Sequence, residues 1–110
     1  MIDVKWWSVE SEIQRAICDY LTLRKVFFFR CNNQPIYDAT RKGFRALPKY
    51  TMKGISDIIA LKDGHAYFIE VKAARGRVSP EQHEFGKNIQ AAGGTYIIAR
   101  AIEDVRAIGL

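Results

Sequence analysis

The chain predicts a mixed α/β domain, with a sheet of about four or five strands flanked by helices. Three observations carry this. Two stretches, from Val9 to Leu21 and from Ser79 to about Ala92, repeat apolar residues at helical spacing behind N-terminal capping signals. Between them, two β-rich runs flank an Asp-Gly pair, the strongest short-range sign of a hairpin. A further apolar run follows the second helix, and a strand reached across a helix pairs parallel to the strand before it.

With 110 residues, 48% of them hydrophobic, the chain makes one domain with a modest core. No apolar run is long enough to span a bilayer, and Met1 to Trp7 lacks signal-peptide architecture. Lys and Arg number 17 against 12 Asp and Glu, a net charge of +5. That balance suits a polyanionic partner, although clustering of the charge matters more than its total. Cys18 and Cys31 have no Cys-x-x-Cys spacing, so free thiols in a reducing cytoplasm are expected and a zinc site is not.

Ser8 is the expected N-cap of the first helix, with Glu10 and Glu12 in the turn where the helix dipole favours acids. Val9, Ile13, Ala16, Ile17, Tyr20 and Leu21 form its buried stripe, and Cys18 falls opposite. Val26 to Arg30 is too uniformly apolar for an exposed edge and reads as a buried strand. From Ile36 to Lys53 the chain interleaves Arg41, Lys42, Arg45, Lys49 and Lys53 with Tyr37, Phe44 and Tyr50, and it is too long to be a mere connector. Such a stretch suits phosphate contacts and base stacking, or it is a solvated loop pinned to the core by its aromatics.

Ser56 to Leu61 and Ala66 to Val71 are the hairpin strands. A two-residue loop at Asp63-Gly64 sets Lys62 opposite His65 and therefore Asp57 opposite Glu70, in a non-hydrogen-bonded pair whose side chains are close. A four-residue loop from Lys62 to His65 keeps that register. Like charges so placed repel, so a raised carboxyl pKa, a nearby cation or a bound metal must offset them. Period-two alternation puts Lys72 on the same face as Glu70. Arg75 and Arg77 then flank Gly76 in a basic loop. Ser79-Pro80-Glu81-Gln82 opens the second helix as N-cap, N1 proline and capping-box glutamine. Phe85, Ile89 and Ala92 face its core and Gly93-Gly94 stops it. Thr95 to Ala99 reads as a short buried strand, and Ile102 to Ile108 as a final amphipathic turn or two.

An Asp, a hairpin turn and Glu-x-Lys on the following strand resemble the PD-(D/E)XK nuclease superfamily. Arg75-Gly76-Arg77-Val78-Ser79-Pro80-Glu81-Gln82 resembles its small VRR-NUC branch, which is similar to Holliday-junction resolvases in fold. The likeness spans roughly residues 8 to 100. Ser56 departs from it, standing where many members carry proline. The resemblance implies a restriction-endonuclease-like mixed sheet flanked by helices, and a Mg²⁺- or Mn²⁺-dependent DNA endonuclease that hydrolyses phosphodiester bonds. It implies Asp57 and Glu70 as metal ligands, with the Val71 carbonyl as a further one. Lys72 would position or deprotonate the attacking water. Glu12 is either a first-turn acid serving the dipole or a ligand reaching in from the flank. Gln82 is counted with the catalytic residues in that family, although capping alone explains it.

Arg41, Lys42, Arg45, Lys49, Lys53, Arg75 and Arg77 are the candidate nucleic-acid contacts. A homodimer acting on four-way junctions or flaps is the expected assembly, in the cytoplasm, or in the host's if the protein is viral. Two alternatives stand beside this: a DNA-binding module that keeps the fold without turnover, and a nuclease subunit that needs a separate recognition partner.

Overall fold

A computed structural model describes residues 9–31, 37–44 and 48–110. Helix α1 (Glu10–Leu23) is followed by strand β1 (Phe27–Arg30), a two-stranded hairpin of β2 (Tyr37–Asp38) and β3 (Gly43–Phe44), and then β4 (Ile58–Lys62) and β5 (His65–Val71). Helix α2 (Pro80–Ala91), strand β6 (Thr95–Ala99) and the short helix α3 (Ile102–Ala107) complete the order. The main sheet runs β1-β4-β5-β6. Its first two pairings are antiparallel and the last, across α2, is parallel, as a helical crossover requires. This is a small α/β protein with a four-stranded mixed sheet flanked by helices. No helix among the described residues is long and apolar enough to cross a membrane.

Period-two alternation divides the sheet into two unlike faces. One face carries Ile58 and Ala60 from β4, Ile69 and Val71 from β5 and Ala99 from β6, all buried against Ile13, Ile17 and Leu21 of α1 and Ile102 and Val105 of α3. The other face carries Phe68, Glu70 and Tyr96, with Asp57 at the foot of β4. Here α2 packs over the β5–β6 side. Phe85 meets Phe68 and Tyr96 edge-on, with ring centroids 5.9 and 6.0 Å apart. The helix lies close because its next residue is Gly86, where a β-carbon would stand 2.5 Å from the Tyr96 ring.

The local chemistry explains the boundaries. Ser79 accepts from the Gln82 N–H (3.1 Å) while Gln82 Oε1 accepts from the Ser79 N–H (2.9 Å), the capping box expected at the start of α2. At its end the N–H groups of Gly93 and Gly94 turn back to the carbonyls of Gln90 and Ile89.

Several expectations are corrected. Ser8 lies outside the described residues; Val9 occupies the N-cap of α1 and makes no side-chain cap. Cys18 is half-buried and packs against the core rather than away from it, because a thiol is small enough to sit at the flank of the stripe. β1 is an edge strand, not a buried one. Phe27 is 66% exposed and Phe29 46%, because α2 packs on the opposite half of their face. β6 closes the other edge and is mostly half-buried, with Ala99 alone fully buried. Ala92 is exposed at the C-cap of α2, where the chain is already turning away.

Helix propensity favours alanine over glycine by about 1 kcal/mol inside a helix. Gly86→Ala is nevertheless expected to destabilise the protein, by about 1–3 kcal/mol, since the new methyl group meets the Tyr96 ring. Urea denaturation of the two proteins measures the sign.

Candidate functional site

The site begins with the turn. Asp63 and Gly64 have φ of 52° and 78°, the pair of positive values that defines a type I′ hairpin and matches the twist of its strands. The ladder then runs from Lys62–His65 to Ile58–Ile69, each pair in the expected register. Asp57 and Glu70 are the next facing pair, one step beyond the last ladder position. The core holds this register. Ile58, Ile69 and Val71 are buried on one face, so a slip by one residue would send all of them outward.

Backbone groups fix Asp57 on two sides. Its carbonyl accepts from the Cys31 N–H at 2.8 Å, continuing the β1–β4 pairing past the ladder. Its Oδ2 accepts from the Val71 N–H, also at 2.8 Å, which ties the carboxylate to the end of β5. Glu70 stands within hydrogen-bonding reach of Asp57. It is only 2% exposed, and its Oε1 is buried without a hydrogen-bond partner among the described residues. Burial first, and then the bond to Asp57 and its charge, push the Glu70 carboxyl up to about 9, against the pull of Lys72. Of the three possible offsets to like-charge repulsion, the raised Glu70 carboxyl is the one the structure displays. Cys31, beside Asp57, has its thiol pushed up by burial and by that carboxylate.

This donor set fits a hard divalent cation. Mg²⁺ keeps several waters beside one or two carboxylates, and an orphaned, buried carboxyl oxygen is a ligand atom in waiting. Among the described residues no group of three His, Cys, Asp or Glu side chains is placed to hold a metal ion, so Glu12, exposed on α1, does not join the pair. The α1 residue whose charge reaches Glu70 is Glu10, two residues earlier. The Val71 carbonyl belongs to the same strand end. Gln82 is half-buried, with its Oε1 committed to the cap.

Lys72 follows on the same face, and its aliphatic stem runs along Gly76, where a β-carbon would lie 3.4 Å from Cδ. The turn beyond it is closed by Gly76 N–H to Ala73 O (2.9 Å). Arg100 pins that turn, donating through Nη1 to the carbonyls of Ala73 and Ala74. Nothing in the sequence marks Arg100, because its partners are main-chain carbonyls of a distant segment.

Gly54 was also not foreseen. With φ of 73° it presses against the first turn of α2, so close that a β-carbon would stand 2.5 Å from the Glu81 carbonyl carbon. That contact seats Lys53 and the chain leading to Asp57 beside the helix that carries Gln82. Upstream, Arg41, Lys42, Lys49 and Lys53 are exposed, as are Arg75 and Arg77 downstream, while Arg45 lies outside the described residues. The stretch expected to be one long loop contains the β2–β3 hairpin. Tyr50 is 87% exposed in a left-handed conformation (φ 71°), with the Lys49 ammonium 5.1 Å from its ring centroid. No protein-family model, curated protein or solved structure matches the chain.

The raised Glu70 carboxyl has a direct consequence for stability. In the unfolded chain it ionises near its ordinary 4.5, while in the folded chain it keeps its proton up to about 9. Between those values the folded state binds more protons, so stability falls as pH rises. Melting temperatures of EDTA-treated protein are expected to decline from roughly pH 5 to pH 9, and Glu70→Gln to flatten that decline.

Proposed function

We propose that the chain is a divalent-metal-dependent nuclease that hydrolyses phosphodiester bonds in DNA, built on a restriction-endonuclease-like core of the VRR-NUC type. The observation that carries this reading is the meeting of Asp57 and Glu70 at the open end of the hairpin, with one Glu70 oxygen buried and without a partner among the described residues. Two carboxyl groups confined together are a poor structural choice unless a cation completes them. The order helix, three antiparallel strands, helix, parallel strand supports the core assignment.

Asp57 and Glu70 would hold Mg²⁺ or Mn²⁺, together with the Val71 carbonyl. A bound ion of this kind supplies Lewis-acid polarisation of a phosphoryl oxygen and a water made nucleophilic near neutral pH. Lys72 orients the attacking water, and its ammonium offsets the charge that develops on the phosphate. Asp57 cannot rotate away, because the Val71 N–H holds one of its oxygens. Arg100 keeps the turn after Lys72 closed, so the lysine stem has a fixed backing. Lys42, Lys49, Lys53, Arg75 and Arg77 are exposed cations on the segments that lead into and out of the site, and Tyr50 offers a ring on which a base can stack. Two such domains related by a two-fold axis would present paired sites to a branched DNA, so the favoured substrate is a four-way junction or flap and the favoured assembly a homodimer.

Cleavage of fluorescent junction and duplex DNA in Mg²⁺ or Mn²⁺ tests the reading. Glu70→Gln and Lys72→Met are each expected to lower the rate by about 10²–10³-fold, the loss typical of one electrostatic contributor. Wild-type protein that binds DNA but cleaves none of these substrates would be a binding module instead. Lys49→Ala should weaken DNA binding evenly across sequences and reduce the salt slope by about one. Sedimentation showing only monomer at working concentration would remove the dimer.

A further inference from the structure

Two buried side-chain atoms, Glu70 Oε1 and the Tyr96 hydroxyl, lack a hydrogen bond among the described residues. They belong to one neighbourhood. In the parallel β5–β6 pairing Phe68 faces Tyr96 and Glu70 faces Ile98, so Tyr96 and Glu70 share a sheet face as diagonal neighbours on adjacent strands. That spacing is within the reach of a tyrosine side chain. The ring has little freedom to leave: Phe85 packs against it edge-on, and the backbone of α2 at Gly86 lies against its other edge. The phenol responds to the same carboxylates. Burial, then the charges of Glu70 and Asp57, push it up to about 12.

One orphan is a donor and the other an acceptor, yet they do not bond to each other. An unsatisfied buried polar group is expensive, and a water with partners on both sides is its ordinary remedy. A structural tyrosine at this position would need no oxygen, since phenylalanine makes the same contacts with Phe85 and Gly86.

We propose that Tyr96 is a positioning residue of the carboxylate centre, its hydroxyl donating to a water held against Glu70 and thereby orienting that carboxyl toward the divalent ion. This rests on the metal reading of Asp57 and Glu70 given above. In it the phenol does what groups behind metal ligands generally do: it fixes the direction in which a ligand oxygen points.

The test is calorimetric titration of Mn²⁺ into EDTA-stripped, dialysed full chain, comparing wild type, Tyr96→Phe and Asp57→Asn, with single-turnover cleavage alongside. Tyr96→Phe is expected to bind Mn²⁺ about 10- to 100-fold more weakly, the usual loss when a partner behind a ligand is removed. Its melting temperature in EDTA should stay close to wild type, because phenylalanine keeps the ring contacts with Phe85 and Gly86. In cleavage, kcat should fall while the DNA concentration for half-maximal rate holds. Equal Mn²⁺ affinity in wild type and Tyr96→Phe would overturn the role of the hydroxyl and leave the metal reading standing. A wild type that takes up no Mn²⁺ would overturn both.

Discussion

The contact between the Asp57 and Glu70 carboxyl groups is the constraint around which the rest of the molecule is arranged. By itself it is unfavourable, since two acids are brought together and one is almost completely withdrawn from water. The site persists because neither residue can avoid it. Each is flanked by a residue buried in the core on the opposite sheet face: Ile58 follows Asp57, and Ile69 and Val71 enclose Glu70. Alternation then leaves the acids no direction but toward each other. The turn contributes the second half of the constraint, because the paired positive φ values of Asp63 and Gly64 permit one register. Hydrophobic burial on one side of the sheet thus supplies the free energy that holds a strained polar arrangement on the other.

The flanking elements play unequal parts. Helix α1 and the short α3 build the core, and α1 also contributes a negative field through Glu10. Helix α2 lies on the side of the acids and covers β5 and β6. Its closeness depends on Gly86, which admits the Tyr96 ring, while its first turn receives Gly54 from the loop leading to Asp57. The β1–β4 half of that face stays open, with Phe27, Phe29 and Leu61 exposed. The acids therefore sit at the boundary between the covered and uncovered halves of one face. A site placed there is dry enough to push the Glu70 carboxyl up, with Lys72 as the cation beside it.

Exposed positive charge is carried by the segments before Asp57 and after Lys72. Lys49 and Tyr50 lie between the β2–β3 hairpin and the Gly54 contact. Arg75 lies within the Arg100-pinned turn, and Arg77 between that turn and the Ser79 cap. Exposed basic side chains on loops held by the core suit a surface that meets an extended polyanion.

The hairpin, its register, the pairing of Asp57 with Glu70, the capping box of α2 and the parallel β6 were all legible in the sequence. Each depends on residues close together along the chain, where turn chemistry and periodicity operate without help from tertiary contacts. What was not legible depended on packing between distant segments. Val26 to Arg30 looked buried because composition reports apolarity but not which half of a sheet face a helix will cover. Glu10 rather than Glu12 reaches Glu70 because the rotation and height of α1 over the sheet come from the fit of Ile13, Ile17 and Leu21 to the core. Arg100 and Tyr96 escaped notice because one is bonded to main-chain carbonyls and the other is placed by a glycine on a neighbouring helix. Local backbone preference determined where the acids would meet; three-dimensional packing alone decided what surrounds them, how dry they are and which groups steady them.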